Sequence, residues 1–164
     1  MHRLMPIAIF AVVASTALCL GQATAGDTVS MESAQYYIQD HAGMIEMEDG
    51  HSIIFARWYG TQVNEDASSV MHHAKLDCAG MIDARPDGSW DANGYCMHTD
   101  RDGDQWVGKW RNGSAMEAAV YEIYNGVTGK YVGASGGGTA KCTDLVTGSR
   151  GNTVCDITGE IALK

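Results

Sequence analysis

The stretch CMHTDRDGDQWVGKW, residues 96–110, places an Asp-Gly pair between two runs of alternating residues. Alternation is typical of a β-strand with one buried face, and Asp-Gly between two such runs is a strong signal for a tight hairpin turn. We therefore predict that Asp102 and Gly103 supply the positive φ angles of this turn. The turn would join a strand that carries a cysteine to one that carries two tryptophans.

The same stretch also resembles a calcium loop, because Asp100, Asp102 and Asp104 stand at the first, third and fifth positions of such a loop. A helix-loop-helix calcium site needs Gly at the sixth position and Glu at the twelfth, where this sequence has Gln105 and Arg111. The flanks are also strands, not helices. Weak calcium binding by the three carboxylates stays an alternative to the plain turn, and no cofactor is expected.

Short β-prone runs separated by Gly, Asn and Asp continue along the chain, which has 20 Gly and only 2 Pro. This pattern is typical of an all-β sandwich or barrel. A single closed eight-stranded antiparallel barrel over residues 51–164 is the predicted fold, because closure removes exposed sheet edges. Residues 26–50 are predicted to be a loosely structured N-terminal segment with one short strand at 36–39. The candidate strands are 51–58, 68–78, 89–99, 104–111, 115–124, 129–133, 137–143 and 153–162.

The first 25 residues have a basic start, an apolar run from Ile7 to Leu20 and the small residues Ala23 to Ala25. These features predict a secretory signal peptide, cleaved after Ala25, and a secreted or periplasmic product. A membrane anchor is the alternative, but the apolar run is too short to cross a bilayer as a helix. The formal net charge of −9 argues against nucleic-acid and membrane partners, since an acidic surface repels phosphate groups.

Four cysteines follow the signal segment, namely Cys78, Cys96, Cys142 and Cys155. An even number in an exported chain predicts disulfides, and four cysteines allow three connectivities. Pairing of near neighbours would close two short loops, each adding about 3 kcal/mol of stability. A zinc site is disfavoured because no pair has the CxxC spacing.

Two histidines are candidates for acid-base chemistry inside the barrel. Alternation in 68–78 points His72 inward, and His98 shares the inner side with Cys96 if Cys78 and Cys96 join neighbouring strands. Histidine titrates near neutral pH, which suits proton transfer. An inward histidine is nevertheless more often a hydrogen-bonded core residue than a catalyst.

Carboxylates and aromatic residues complete the candidate site. Glu117 and Glu122 fall on opposite faces of 115–124, so one of them should point inward if that segment is a strand. A buried carboxylate is costly unless it is paired or functional. Trp106 and Trp110 share one face, either as core packing or as the wall of a ligand pocket. The candidate ligand-binding residues are Trp106, Trp110, Tyr121 and Tyr131.

Three motifs point to a family. LDCAG (76–80), GYCMHTDRDGDQW (94–106) and GVTGKYVGASGGGT (126–139), with a late cysteine before the final strand, resemble a group of small exported bacterial proteins. Their barrel is similar to that of allene oxide cyclase and, more distantly, to dirigent proteins and lipocalins, the calycin-like barrels. The resemblance covers about 70–164 and implies an eight-stranded antiparallel barrel with an interior cavity. It supports pairing of Cys78 with Cys96, but it implies no activity and transfers no pocket residue.

The function we expect is therefore that of a secreted, disulfide-stapled β-barrel that binds a small apolar ligand in its cavity. One alternative is an isomerase or cyclase that works through His72, His98 or an inward Glu, since cyclisation needs mainly a shaped, dry pocket and one acid or base. Another is a structural or surface-interaction protein, which would have a filled interior and a broad apolar patch outside. No catalytic motif is recognised in the sequence.

Overall fold

A computed structural model describes residues 26–144 and 152–164 of the chain. The predicted signal segment therefore lies outside the described residues. None of the described residues belongs to a helix long and apolar enough to cross a membrane. The strands in the described ranges are β1 (Thr28–Ser30), β2 (Ser33–Glu46), β3 (Ser52–Asn64), β4 (Lys75–Ala84), β5 (Trp90–Thr99), β6 (Gln105–Gly113), β7 (Ala119–Gly126), β8 (Ser135–Asp144) and β9 (Asn152–Ala162).

Strands β2 to β9 close an antiparallel barrel, in which each strand pairs with the next one along the chain. The ring closes at β9, which pairs with β8 along its length, with β2 through residues 152–157, and with the short β1 through residues 160–162. The prediction of an all-β, eight-stranded antiparallel barrel is confirmed. Because β9 pairs with β2 only as far as Ile38, the second half of β2 pairs with β3 alone among the described residues.

The N-terminal segment is more ordered than we predicted, because it contributes the 14-residue strand β2. Its inward-facing residues include Ser33 and Gln35, which are buried although they are polar. A register shift between Gln39 and His41 then reverses which residues face inward. A polar interior and a bulge together hide the apolar alternation by which strands are recognised.

The predicted strand 68–78 is wrong over its first half, because residues 65–74 form the loop between β3 and β4. Backbone N–H groups of Ser69 and His72 donate to carbonyls three residues earlier, and His73 has a φ of 68°. A positive φ is incompatible with a continuous strand. As a result Met71, which alternation with an inward His72 would turn outward, is fully buried against the core.

Two other predicted strands also differ. Residues 129–131 form a short 3-10 helix instead of a strand, with Tyr131 fully buried. The strand predicted over 115–124 begins only at Ala119 and continues to Gly126, after a turn in which the Met116 N–H donates to the Gly113 carbonyl.

Three loops meet at one end of the barrel, here called the closed end. They connect β3 to β4, β5 to β6 and β7 to β8, and Tyr131 links all three. Its hydroxyl donates to Asp100 Oδ2 at 2.9 Å and lies 3.2 Å from Met71 Sδ. Trp106, fully buried, packs beside it with ring centroids 6.5 Å apart. Tyr131 and Trp106 therefore fill this end of the barrel with core packing.

The β5–β6 turn is a hairpin, as predicted, but only one residue has positive φ. Gly103 has a φ of 92°, whereas Asp102 keeps a negative φ. The Gly103 N–H donates to the Asp100 carbonyl, and Asp100 Oδ1 accepts from the N–H groups of Asp102 and Asp104. This is a three-residue loop, a type I turn followed by glycine, and not the two-residue turn that the Asp-Gly pair predicted.

Candidate functional site: the barrel cavity

Inward-facing glycines on β4 and β5 make room for a large aromatic ring. A Cβ atom built on Gly80 would lie 2.4 Å from Trp110 Cζ2, and one built on Gly94 would lie 2.6 Å from the same atom. Trp110 therefore lies flat across β5 and β4 and reaches Trp58 on β3, with ring centroids 6.1 Å apart in an edge-on arrangement. Because the ring follows the wall, the centre of the barrel stays open.

The open centre is a cavity of about 210 Å³. Each of the eight barrel strands contributes at least one lining residue. Among the described residues, no Asp, Glu, Lys or Arg lines the cavity. Aromatic rings of Tyr37, Trp58, Trp110 and Tyr121 form much of the wall. Such a lining, mostly apolar with a few polar groups, is typical of small-molecule sites.

Both disulfides lie in the cavity wall. Cys78 pairs with Cys96 across β4 and β5, and Cys142 pairs with Cys155 across β8 and β9. In each pair the two residues are direct partners in the strand register. The near-neighbour pairing, one of three possible connectivities, is the one observed. The disulfides therefore staple two strand pairs on either side of the cavity.

His98 lies on the inner face of β5, as predicted, and is 5% exposed. Its ring stacks on Trp106 with centroids 3.7 Å apart and planes 10° apart. Burial lowers the pKa of His98 to about 3, because the surroundings disfavour the charged imidazolium. Among the described residues its Nδ1 atom has no hydrogen-bond partner. His98 is thus a neutral aromatic wall residue at ordinary pH.

His72 does not point into the barrel, so that prediction is wrong. It lies in the β3–β4 loop, where Nδ1 is 3.1 Å from the Asn64 carbonyl oxygen and the ring packs against that of His73 with planes tilted by 37°. The alternation that placed it inward does not apply, because the chain has left the strand conformation. The two histidine candidates are therefore not brought together.

Neither glutamate candidate faces the cavity. Glu117 is exposed in the turn before β7, and Glu122 is exposed on the outer face opposite Lys109 in the β6–β7 register. The expectation that one of them points inward is wrong, because β7 starts at Ala119 and its inward positions are occupied by Ala119 and Tyr121.

The four aromatic candidates separate into two pairs. Trp110 and Tyr121 line the cavity, whereas Trp106 and Tyr131 are fully buried in the core of the closed end and are not among the lining residues. The prediction that Trp106 and Trp110 share one face holds, since both side chains lie inside the barrel.

A chain of buried amides, not predicted from the sequence, lies between β2 and β3. Gln35, Gln62 and Asn64 are each at most 5% exposed. Gln35 Nε2 donates to Gln62 Oε1 at 2.8 Å, Gln62 Nε2 to Asn64 Oδ1 at 2.8 Å, and Asn64 Nδ2 to the Ser30 carbonyl at 3.2 Å. The Tyr37 hydroxyl donates to Gln35 Oε1 at the other end. Gln35 and Tyr37, like Gln62 and Asn64, are two residues apart and share a face of their strand, but nothing in the local sequence shows that these two faces meet.

The three aspartates of the predicted calcium alternative surround a lysine. Lys130 Nζ lies 2.7 Å from Asp100, 3.1 Å from Asp102 and 2.9 Å from Asp104. Its hydrogen bond lowers the pKa of Asp104, so the carboxylate stays charged beside the ammonium. Within the described ranges, no group of three or more His, Cys, Asp or Glu residues is arranged to hold a metal ion. The chain itself supplies the cation at this cluster.

Backbone geometry keeps the lysine in place. Gly129 has a φ of 51°, and a Cβ atom there would lie 1.9 Å from Asp104 Oδ1. Only glycine therefore allows the 3-10 helix to approach the β5–β6 hairpin closely enough for Lys130 to enter the cluster. The cluster belongs to the closed end and not to the cavity.

These features define a closed antiparallel β-barrel with an uncharged internal cavity walled by aromatic rings and two disulfides. Models of known protein families and the curated proteins give no match to this chain.

Proposed function

We propose that this protein is an exported binding protein that holds a small, uncharged, mostly apolar molecule in the barrel cavity. The observation that carries the proposal is the cavity of about 210 Å³, since a dry apolar cavity of roughly 150 Å³ is already large enough to bind benzene. An apolar ligand in the cavity would remove its own surface and that of the aromatic wall from water, which favours binding.

The absence of charge among the described lining residues supports an uncharged ligand. A carboxylate or ammonium moved into this site would lose its hydration without gaining an ion pair. The signal-like N-terminus and the two disulfides support export to a secreted or periplasmic location. The acidic net charge supports the view that nucleic acid and membranes are not partners.

We further propose that the barrel belongs to the allene oxide cyclase-like group that the sequence motifs resemble. Eight antiparallel strands in sequence order around a cavity support this assignment. A cyclase or isomerase activity is the alternative, and it would have to use the titratable lining groups Tyr37, His98 and Tyr121. Burial raises the pKa of both tyrosines and lowers that of His98 to about 3. These shifts leave no lining group titrating near neutral pH, which favours binding over acid-base catalysis.

Tryptophan fluorescence tests the proposal directly, since Trp58 and Trp110 line the cavity. Adamantane and its derivatives are suitable probes because they are rigid, compact and apolar. We expect saturable changes in emission on titration, reduced in Trp58→Phe and Trp110→Phe. Trp90→Phe is the matched control, because Trp90 is not among the lining residues. If no uncharged probe changes the emission or raises the melting temperature, the proposal is wrong.

A further inference from the structure

The buried amide chain has a fixed direction. The Ser30 carbonyl can only accept, so the Asn64 amide must present its NH₂ group there and its oxygen to Gln62. Gln62 in turn must present its oxygen to Gln35. The Gln35 oxygen then faces Tyr37, so the Tyr37 hydroxyl must donate to it.

The single hydroxyl hydrogen of Tyr37 is therefore used in the hydrogen bond to Gln35 and is not available to a ligand. Tyr121 differs, because its hydroxyl donates to the Thr158 carbonyl at 3.3 Å in an exposed contact beside Gly159, where water can compete for the hydrogen. Tyr37 lines the cavity. Its oxygen keeps a lone pair but has no hydrogen left to offer, so towards the cavity this phenol acts as a hydrogen-bond acceptor.

The two phenols also remain protonated. Burial raises the pKa of Tyr37, and the nearby Tyr121 raises it further. Burial likewise raises the pKa of Tyr121. Neither group becomes an anion at ordinary pH, so the Tyr37 oxygen is a neutral acceptor that suits an uncharged donor.

We propose that the cavity selects ligands that carry a hydroxyl group, that is, uncharged apolar alcohols whose O–H donates to the oxygen of Tyr37. The inference rests on the proposed function, since it names the chemical class of the molecule bound in the same cavity. A ketone or ether of equal shape has no hydrogen to donate. It would leave the Tyr37 oxygen without a partner after displacing water from it.

The test compares dissociation constants of 1-adamantanol, 2-adamantanone and adamantane, measured by fluorescence titration of the full mature chain. We expect the alcohol to bind about tenfold more tightly than the ketone, the ratio expected for one neutral hydrogen bond. Tyr37→Phe should reduce this preference at least threefold. Tyr36→Phe is the matched control: Tyr36 adjoins Tyr37 in β2 but is 45% exposed on the outer face, and this variant should keep the preference.

A second variant tests the fixed direction of the amide chain. Gln35→Met removes the acceptor that holds the Tyr37 hydrogen, so the freed hydroxyl can donate to a ligand oxygen. We expect the ketone to gain affinity relative to the alcohol in this variant. Equal binding of alcohol and ketone by the wild type, or an unchanged preference in Tyr37→Phe, would overturn the inference while leaving the proposed function intact. Binding of none of the three probes would overturn the proposed function itself.

Discussion

Replacing Lys130 by methionine removes the cation from the three-aspartate cluster at the closed end while keeping a side chain of similar length. Asp100 is the carboxylate most affected, because its side chain is 0% exposed whereas those of Asp102 and Asp104 are 48% and 27% exposed. Loss of the partner of a buried charge typically costs 3–5 kcal/mol. Asp100 keeps two backbone N–H donors and the Tyr131 hydroxyl, so we expect a loss near the lower limit, about 3 kcal/mol.

Urea unfolding with the disulfides intact measures this loss in the free energy of unfolding. In a thermal unfolding experiment, the melting temperature should fall by roughly 10 °C. Lys141→Met is the matched control, because Lys141 is exposed on β8 and its replacement should change stability by less than about 0.5 kcal/mol. Adding Asp100→Asn to Lys130→Met should recover part of the loss, since Asn keeps an oxygen for the two backbone donors and carries no charge. A loss for Lys130→Met no larger than that for Lys141→Met would refute the assignment of the cluster as a stabilising element.

Two further predictions concern the inner wall. Because His98 has a pKa of about 3 when folded and about 6.5 when unfolded, the unfolded chain binds an extra proton between these values. The stability that neutral His98 contributes is complete above pH 6.5 and is lost as pH falls towards 3. His98→Phe, which keeps the stacking on Trp106, should therefore flatten the free energy of unfolding against pH in that window, and an unchanged slope would contradict the cause given. Gly94→Ala would place a methyl group 2.2 Å from the Ala79 carbonyl oxygen and 2.6 Å from Trp110, so it should cost at least 2 kcal/mol in thermal unfolding, whereas Gly43→Ala, which meets nothing within 4 Å, should cost almost nothing. Equal effects of the two alanines would contradict the close packing of Trp110 against the wall.

The sequence predicted those strands whose alternation is apolar and local. The strands around 89–99, 104–111, 137–143 and 153–162 match β5, β6, β8 and β9 closely, because most of their inner residues are apolar, glycine or disulfide-bonded. Strand β2 could not be predicted in the same way, since its buried Gln35 becomes favourable only through Gln62 on β3. A partner 27 residues away leaves no local signal.

Only part of the candidate site could be predicted, again because the prediction depends on regular local alternation. His98 and Trp110 were placed inside correctly, because their strand is regular and its register follows from the hairpin. His72 was placed wrongly because a single positive φ at His73 ends the alternation, and such an angle in a histidine cannot be read from composition. The roles of Gly80 and Gly94 could not be predicted either, because both make room for Trp110, which lies on a different strand.

Filling the cavity from one side tests whether the ligand binds inside the barrel. Ala140 lines the cavity on β8, whereas Ala79 faces outward on β4. Ala140→Leu therefore adds three carbon atoms inside the barrel, and Ala79→Leu adds the same three outside it. Calorimetric titration with 1-adamantanol should show binding to the wild type and to Ala79→Leu, with affinity reduced at least tenfold in Ala140→Leu. Equal affinity of all three proteins would place the ligand outside the cavity and contradict the account.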